Sequence, residues 1–161
     1  MKSPVATWKS VVLTFVGAVI FYALAWSWLN KWQTGTGPWE VSFSTNSTGV
    51  PQLIIAQPSL RISNITVLFE GETLAATNGT GLVAFHKPKT RTPFGRVIYD
   101  DLMFQPGSVA VDCFGHVVEM IPSALILNSI SNGWRNASTY SLFPTNKLPD
   151  EVRKTWKGGY R

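Results

Sequence analysis

Residues 108–121 read SVAVDCFGHVVEMI, two runs of six residues around the dipeptide Phe114-Gly115. Pairing Cys113 with His116 across that dipeptide places Val109, Val111, Cys113, His116, Val118 and Met120 on one face of a hairpin. Ala110, Asp112, Val117 and Glu119 fall on the other. Side chains alternate along a strand, so the register that separates apolar from charged side chains is the one burial selects. A bulged turn pairing Asp112 with His116 mixes the faces and ranks second.

Working outward, the same alternation marks residues 39–44, where Trp39, Val41 and Phe43 interleave with Glu40, Ser42 and Ser44. Residues 46–49 supply a turn, and 52–57 form a second apolar run closed by Pro58. In 60–69 the parity slips: Leu60 and Ile62 share one phase, Ile65, Val67 and Phe69 the other. One extra residue near Ser63-Asn64 restores a common face, which predicts a β-bulge there. Residues 82–86, 96–104, 124–128 and 138–143 complete roughly eight short strands with Gly, Pro or Asn punctuation. This pattern predicts an all-β body, an antiparallel β-sandwich over residues 39–146.

A different pattern precedes it. Residues 11–29, VVLTFVGAVIFYALAWSWL, carry no charge. As a helix the run measures about 28 Å, against a hydrocarbon core of roughly 30 Å. Trp8 precedes it, and Trp26, Trp28 and Trp32 crowd its far end, where amphipathic indoles favour the headgroup level. Residues 1–32 are therefore expected to be a short cytoplasmic N-terminus and a transmembrane anchor. Lys2, Lys9 and the terminal amine flank one side and Lys31 the other, which directs the N-terminus to the cytoplasm and the rest to the periplasmic or extracellular side. The competing layout is a signal peptide cleaved after Ala25, at Ala23-Leu24-Ala25; Trp26, Trp28 and Leu29 are poor cleavage-region residues. Thr7, Ser10, Thr14, Gly17, Ala18 and Ala25 form a small-residue helix face on which another helix can pack. Residues 33–38, QTGTGP, read as a short linker.

The tail, 147–161, is expected to form a basic helix of two to three turns that docks on something. Pro149 opens it, Asp150 and Glu151 suit the first turn, and Gly158-Gly159 ends it. Arg153, Lys154, Trp156 and Lys157 are its candidate interaction residues.

Net charge is +5, and its placement argues against a nucleic-acid partner. Residues 1–32 contribute +3 and 147–161 another +3, whereas 33–146 hold six basic and seven acidic side chains. Inside that near-neutral body, Lys87, Lys89, Arg91 and Arg96 cluster without an acid among them, predicting an exposed basic loop for phospholipid headgroups or an acidic partner.

Catalytic signatures are missing: no P-loop, GxSxG or HExxH pattern occurs. A single cysteine excludes an intrachain disulfide. Cys113 and His116 can sit side by side as a thiolate–imidazole pair, with His86, Asp112 or Glu119 completing a weak metal set. Their valine-rich surroundings favour plain burial. Asp100 and Asp101 are adjacent, so they point to opposite faces and do not act as a pair. Asn46, Asn64, Asn78 and Asn136 begin N-x-S/T sequons, which matter only in a glycosylating compartment.

The expectation is a non-catalytic single-pass protein of the inner or plasma membrane, without cofactor. Its partners would be the bilayer and other membrane-protein subunits, in an accessory or structural role. A second class is an envelope glycan- or ligand-binding or adhesive module using Trp39, Trp134 and Tyr140 as an aromatic platform. A third is a Cys-His hydrolase or metal-binding protein.

Overall fold

A computed structural model describes residues 4–34, 36–75 and 79–158, with side chains from Trp8 to Leu29 and throughout the described part of the body. The chain divides into two compact units, Met1–Gly35 and Thr36–Arg161.

The first unit is one helix, α1 (Pro4–Thr34). Its stretch Trp8–Leu29, 22 residues of mean hydropathy 1.9, is long and apolar enough to cross a membrane, and none of it is buried within the protein. A helix apolar on all sides has no polar face to present to water. The Thr14 hydroxyl does not break it. Thr14 Oγ1 donates to the Ser10 carbonyl at 2.9 Å, satisfying itself along the helix.

The second unit is built from two five-stranded sheets. β1 (Trp39–Thr45), β2 (Pro51–Gln57), β3 (Ile62–Phe69), β4 (Gly81–Phe85) and β10 (Thr139–Leu142) form one, in the order β10-β3-β2-β1-β4. β5 (Arg96–Asp101), β6 (Ser108–Cys113), β7 (His116–Ile121), β8 (Ala124–Leu127) and β9 (Ile130–Asn132) form the other, in chain order. One apolar core takes Trp39, Val41, Phe43, Leu53, Ile55 and Val67 from the first sheet and Val109, Val111, Val118, Met120 and Leu125 from the second.

The central hairpin has the expected register, with Cys113 opposite His116 and Val109 opposite Met120. Phe114 and Gly115 both have positive φ, 54° and 89°, the two-residue turn whose twist matches paired strands. A phenylalanine is an unusual occupant of that conformation. Its ring is held by Phe69 and Phe94, with centroids 5.4 and 5.6 Å away. The bulge also lies where parity slips: Ile55 pairs with Ile65 but Gln57 with Ile62, so β3 carries the extra residue at Ser63-Asn64. Asn64 takes φ 54°. The Asn136 side chain closes the bulge, accepting from Ser63 N–H and donating to the Arg61 carbonyl.

Several expectations need correction. β10 runs parallel to β3, so the body is not purely antiparallel. β9, three residues long, lies outside the expected strands because it lacks an apolar alternation. The strand expected from Leu60 begins at Ile62, because Leu60 closes a 3-10 turn over Pro58–Leu60, and β5 stops at Asp101. The tail helix α2 (Asp150–Lys154) is barely more than one turn, and the tail belongs to the same compact unit as the sheets. The linker is shorter than 33–38. Gln33 and Thr34 continue α1, while the carbonyls of Thr36, Gly37 and Pro38 accept from Gln57 Nε2 at 3.2, 3.0 and 2.9 Å. Gln57 is itself fully buried, so these three residues are part of the body.

Candidate functional site

The basic cluster is the feature of the body that most resembles a recognition surface, and its position follows from two anchors. Phe94 leaves the loop and enters the core, edge-on to Phe43 with centroids 5.0 Å apart. Gly95 follows with φ +73°, and a Cβ there would meet Cys113 Sγ at 2.5 Å and the Asp112 carbonyl oxygen at 2.6 Å. The loop thus passes against β6 where only glycine fits. At its other end, Lys89 N–H donates to Asp100 Oδ2 at 2.8 Å. Between these ties the loop runs beside β5, the edge strand of its sheet.

Loop and strand enclose an open groove of about 520 Å³, lined by Lys89, Arg91 and Arg96 together with Thr90, Thr92 and Tyr99. Lys89 and Arg91 are exposed. Arg96 Nε and Nη2 donate to Asp112 Oδ2 at 3.2 and 3.1 Å, yet its side chain stays 56% exposed. Asp112 does not need Arg96 alone, because Arg153 Nη1 reaches both carboxylate oxygens, at 3.0 and 2.8 Å. The groove therefore keeps a net positive charge, with Asp100 as its one lining carboxylate. Burial first, and then the carboxylates of Asp101, Glu119 and Asp100, push the Tyr99 phenol up, so it remains a hydrogen-bond donor at neutral pH. Three cationic side chains along a strand edge suit an acidic, extended segment. Lys87 lies outside the groove, exposed near the end of β4.

Cys113 and His116 are brought together and are unsuited to catalysis. Both are fully buried. Burial, reinforced by Asp112, pushes the Cys113 thiol far up, so the thiolate that a nucleophile or ligand requires is not formed. Asn128 Oδ1 accepts from Val117 N–H, which turns its Nδ2 toward His116 Nδ1 at 2.9 Å. The imidazole accepts there and is neutral. Burial first, and then the Lys147 ammonium, hold its pKa below the ordinary value; Glu72, the Asn128 contact and Asp112 pull upward without offsetting them. His86 is exposed, its ring nitrogen 2.9 Å from the Ala84 carbonyl oxygen. Among the described residues, no three His, Cys, Asp or Glu side chains converge to hold a metal ion.

The three rings of the expected aromatic platform are not displayed together on the surface. Trp39 is fully buried and stacks on Trp134 at 5.2 Å, while Trp134 and Tyr140 pack against the core. Trp39 is wholly a core residue, and Trp134 and Tyr140 are half-buried.

In the tail, Arg153 is committed inward. Besides Asp112 it bonds the Leu148 carbonyl and the Asp150 carboxylate. Lys154 and Lys157 are exposed and Trp156 is half-buried. On α1, Trp8, Trp26 and Trp28 are exposed, as are Ser10, Thr14, Gly17 and Ala18, while Ala25 is half-buried. The Trp32 and Thr7 side chains lie outside the described ones. Asn46 folds its own turn, its Oδ1 accepting from Thr48 and Val50 N–H at 2.9 Å each. Asn78 lies outside the described residues.

Sequence reasoning placed Gly95 in the loop but missed its close approach to β6, the Phe94 anchor and the Asp112–Arg153 pair, which shape the groove. A glycine two residues after a proline and next to an aromatic was a signal for a tight loop. Nothing local paired Arg153 with a residue 41 positions away. No protein-family model, curated protein or solved structure matches the chain.

Proposed function

We propose that this chain is a non-catalytic single-pass membrane protein, with its N-terminus in the cytoplasm and a β-sandwich on the other side. The sandwich would bind an acidic segment of a partner subunit in the groove beside β5, making the chain an accessory or structural component of a membrane complex. The observation that carries this reading is α1: a 22-residue stretch of mean hydropathy 1.9, none of it buried by the rest of the protein. Such a surface is stable only in lipid or against another helix. The basic groove supplies the second contact, Lys89, Arg91 and Arg96 offering charge-assisted hydrogen bonds to carboxylates.

The test is extraction from native membranes in mild detergent, followed by crosslinking and gel filtration. A crosslinked complex that is lost when Lys89 and Arg91 are both changed to Glu is the expected result. A chain released from membranes by alkaline carbonate, or one that runs alone and crosslinks to nothing, overturns the proposal.

A further inference from the structure

Two large apolar side chains are displayed on one short loop: Met103 is 70% exposed and Phe104 51%. The loop joins β5 to β6, and several independent contacts place it at one end of the body. Trp39, the first residue of β1, donates its indole N–H to the Gly107 carbonyl at 3.0 Å. Asp101, the last residue of β5, pairs with Ser108, the first of β6. At the same end Trp39 stacks on Trp134, whose indole N–H donates to the Ile121 carbonyl at 3.0 Å. Phe85, the last residue of β4, pairs with Trp39, so exposed Lys87 leaves the sheet here too.

This is also the end at which the chain enters the body. Gln57 holds the carbonyls of Thr36, Gly37 and Pro38, and the Ser59 hydroxyl adds a further bond to Thr36. Only Gly35 separates these fixed residues from the last residue of α1. Consecutive Cα atoms are about 3.8 Å apart, so Thr36 can lie no more than about 7.6 Å from Thr34. From Leu29, where the apolar run stops, five helical residues rise about 7.5 Å, close to the depth of one headgroup layer.

We propose that the Trp39 end of the body rests on the bilayer surface, with Met103 and Phe104 inserted among the lipid headgroups. The proposal rests on α1 being a membrane anchor and is separate from partner binding in the groove. Lipid is the occupant because the short tether keeps Thr36, at this end, near the level where the apolar run stops, and because the exposed, apolar Met103 and Phe104 sit on its rim. Asp101, Glu40 and Asp100 share that rim with Lys87 and Lys89, so the contact is apolar insertion and not attraction to anionic lipid. The exposed Phe143 does not meet this condition. Phe143 follows Leu142, which pairs with Phe69 beyond the Pro51 and Thr45 ends of β2 and β1, at the opposite end of the body.

The buried thiol of Cys113 leaves the full-length chain open to labelling at one introduced cysteine. Phe104→Cys and Phe143→Cys chains, each carrying an environment-sensitive nitrobenzoxadiazole probe, are reconstituted into phosphatidylcholine vesicles. The expected result is a blue-shifted probe at 104, quenched severalfold more by headgroup-region nitroxide lipids than the probe at 143. Adding Met103→Asp should remove most of that difference. Equal, water-like emission at both positions in floated vesicles overturns the proposal while leaving the anchor intact. Equal quenching at both overturns it as well, because the body would then lie on its side. A chain that does not float with the vesicles overturns the anchor and, with it, this surface.

Discussion

The two sheets use the same strand chemistry and end in different environments. In β1 and β2, buried residues alternate with half-buried ones, so that sheet closes one face and leaves the other open. β6 is buried from Val109 to Cys113, and β7 and β8 along their whole length. Over β6 and β7 the tail contributes to this cover. Leu148 N–H donates to the Gly115 carbonyl, Arg153 grips Asp112, and Gly158 passes against Glu119 and Tyr99. Strand alternation therefore says which side chains share a face, but not whether that face meets water. A charged outer face becomes an interior one once a segment carrying the opposite charge lies across it.

The sharpest way to break that contrast is at Gly95, where the loop meets the doubly covered sheet. Gly95→Ala adds a Cβ into Cys113 Sγ and the Asp112 carbonyl at a positive φ, and should cost about 4 kcal/mol. Gly133→Ala, with nothing within 4 Å of its Cβ, should be nearly silent. Urea unfolding of the detergent-solubilised chain, followed by tryptophan emission, measures both, and equal midpoints would refute the close approach.

Next in size is the tail clamp. Arg153→Ala leaves a carboxylate that is only 6% exposed with Arg96 alone, and should cost about 3 kcal/mol. Lys154→Ala, on the exposed side of the same helix, should stay within about 0.5 kcal/mol. If the two substitutions have the same effect, the tail does not cover the sheet.

The two sheets should also respond differently to acid, because His116 titrates in the covered one. Its folded pKa is depressed, so the unfolded chain binds the proton first and stability declines as pH falls below about 6.5. The slope is at most about 1.4 kcal/mol per pH unit, ending once the folded imidazole is itself protonated. His116→Gln should flatten denaturation midpoints measured between pH 7 and pH 5; an unchanged slope would contradict a buried neutral imidazole. The smallest effect belongs to the open sheet. Asn64→Gly keeps the positive φ of the exposed bulge and should shift the midpoint by no more than about 0.5 kcal/mol.

Local chemistry was legible wherever the deciding interaction spans few residues. The Cys113–His116 pairing follows from the faces of a 14-residue stretch, and the bulge at Ser63-Asn64 from a parity slip within ten. The apolar length of α1 is visible in composition alone. The basic loop could be named, but not that Phe94 and Gly95 would press it against a strand edge and make a groove. Those contacts depend on residues brought near by folding, and no periodicity records them.

By itself, then, the amino-acid order determined the strand faces, the turn, the bulge and an uninterrupted apolar helix, because each is set by backbone period and side-chain polarity over a few residues. Tertiary structure alone decided that Arg153 faces inward onto Asp112 and that β10 pairs parallel to β3, and it completed the burial of Cys113 that its valine neighbours favoured. The reason is the same for each. Burial and ion pairing depend on what lies across the space from a side chain, and here that neighbour comes from tens of residues away.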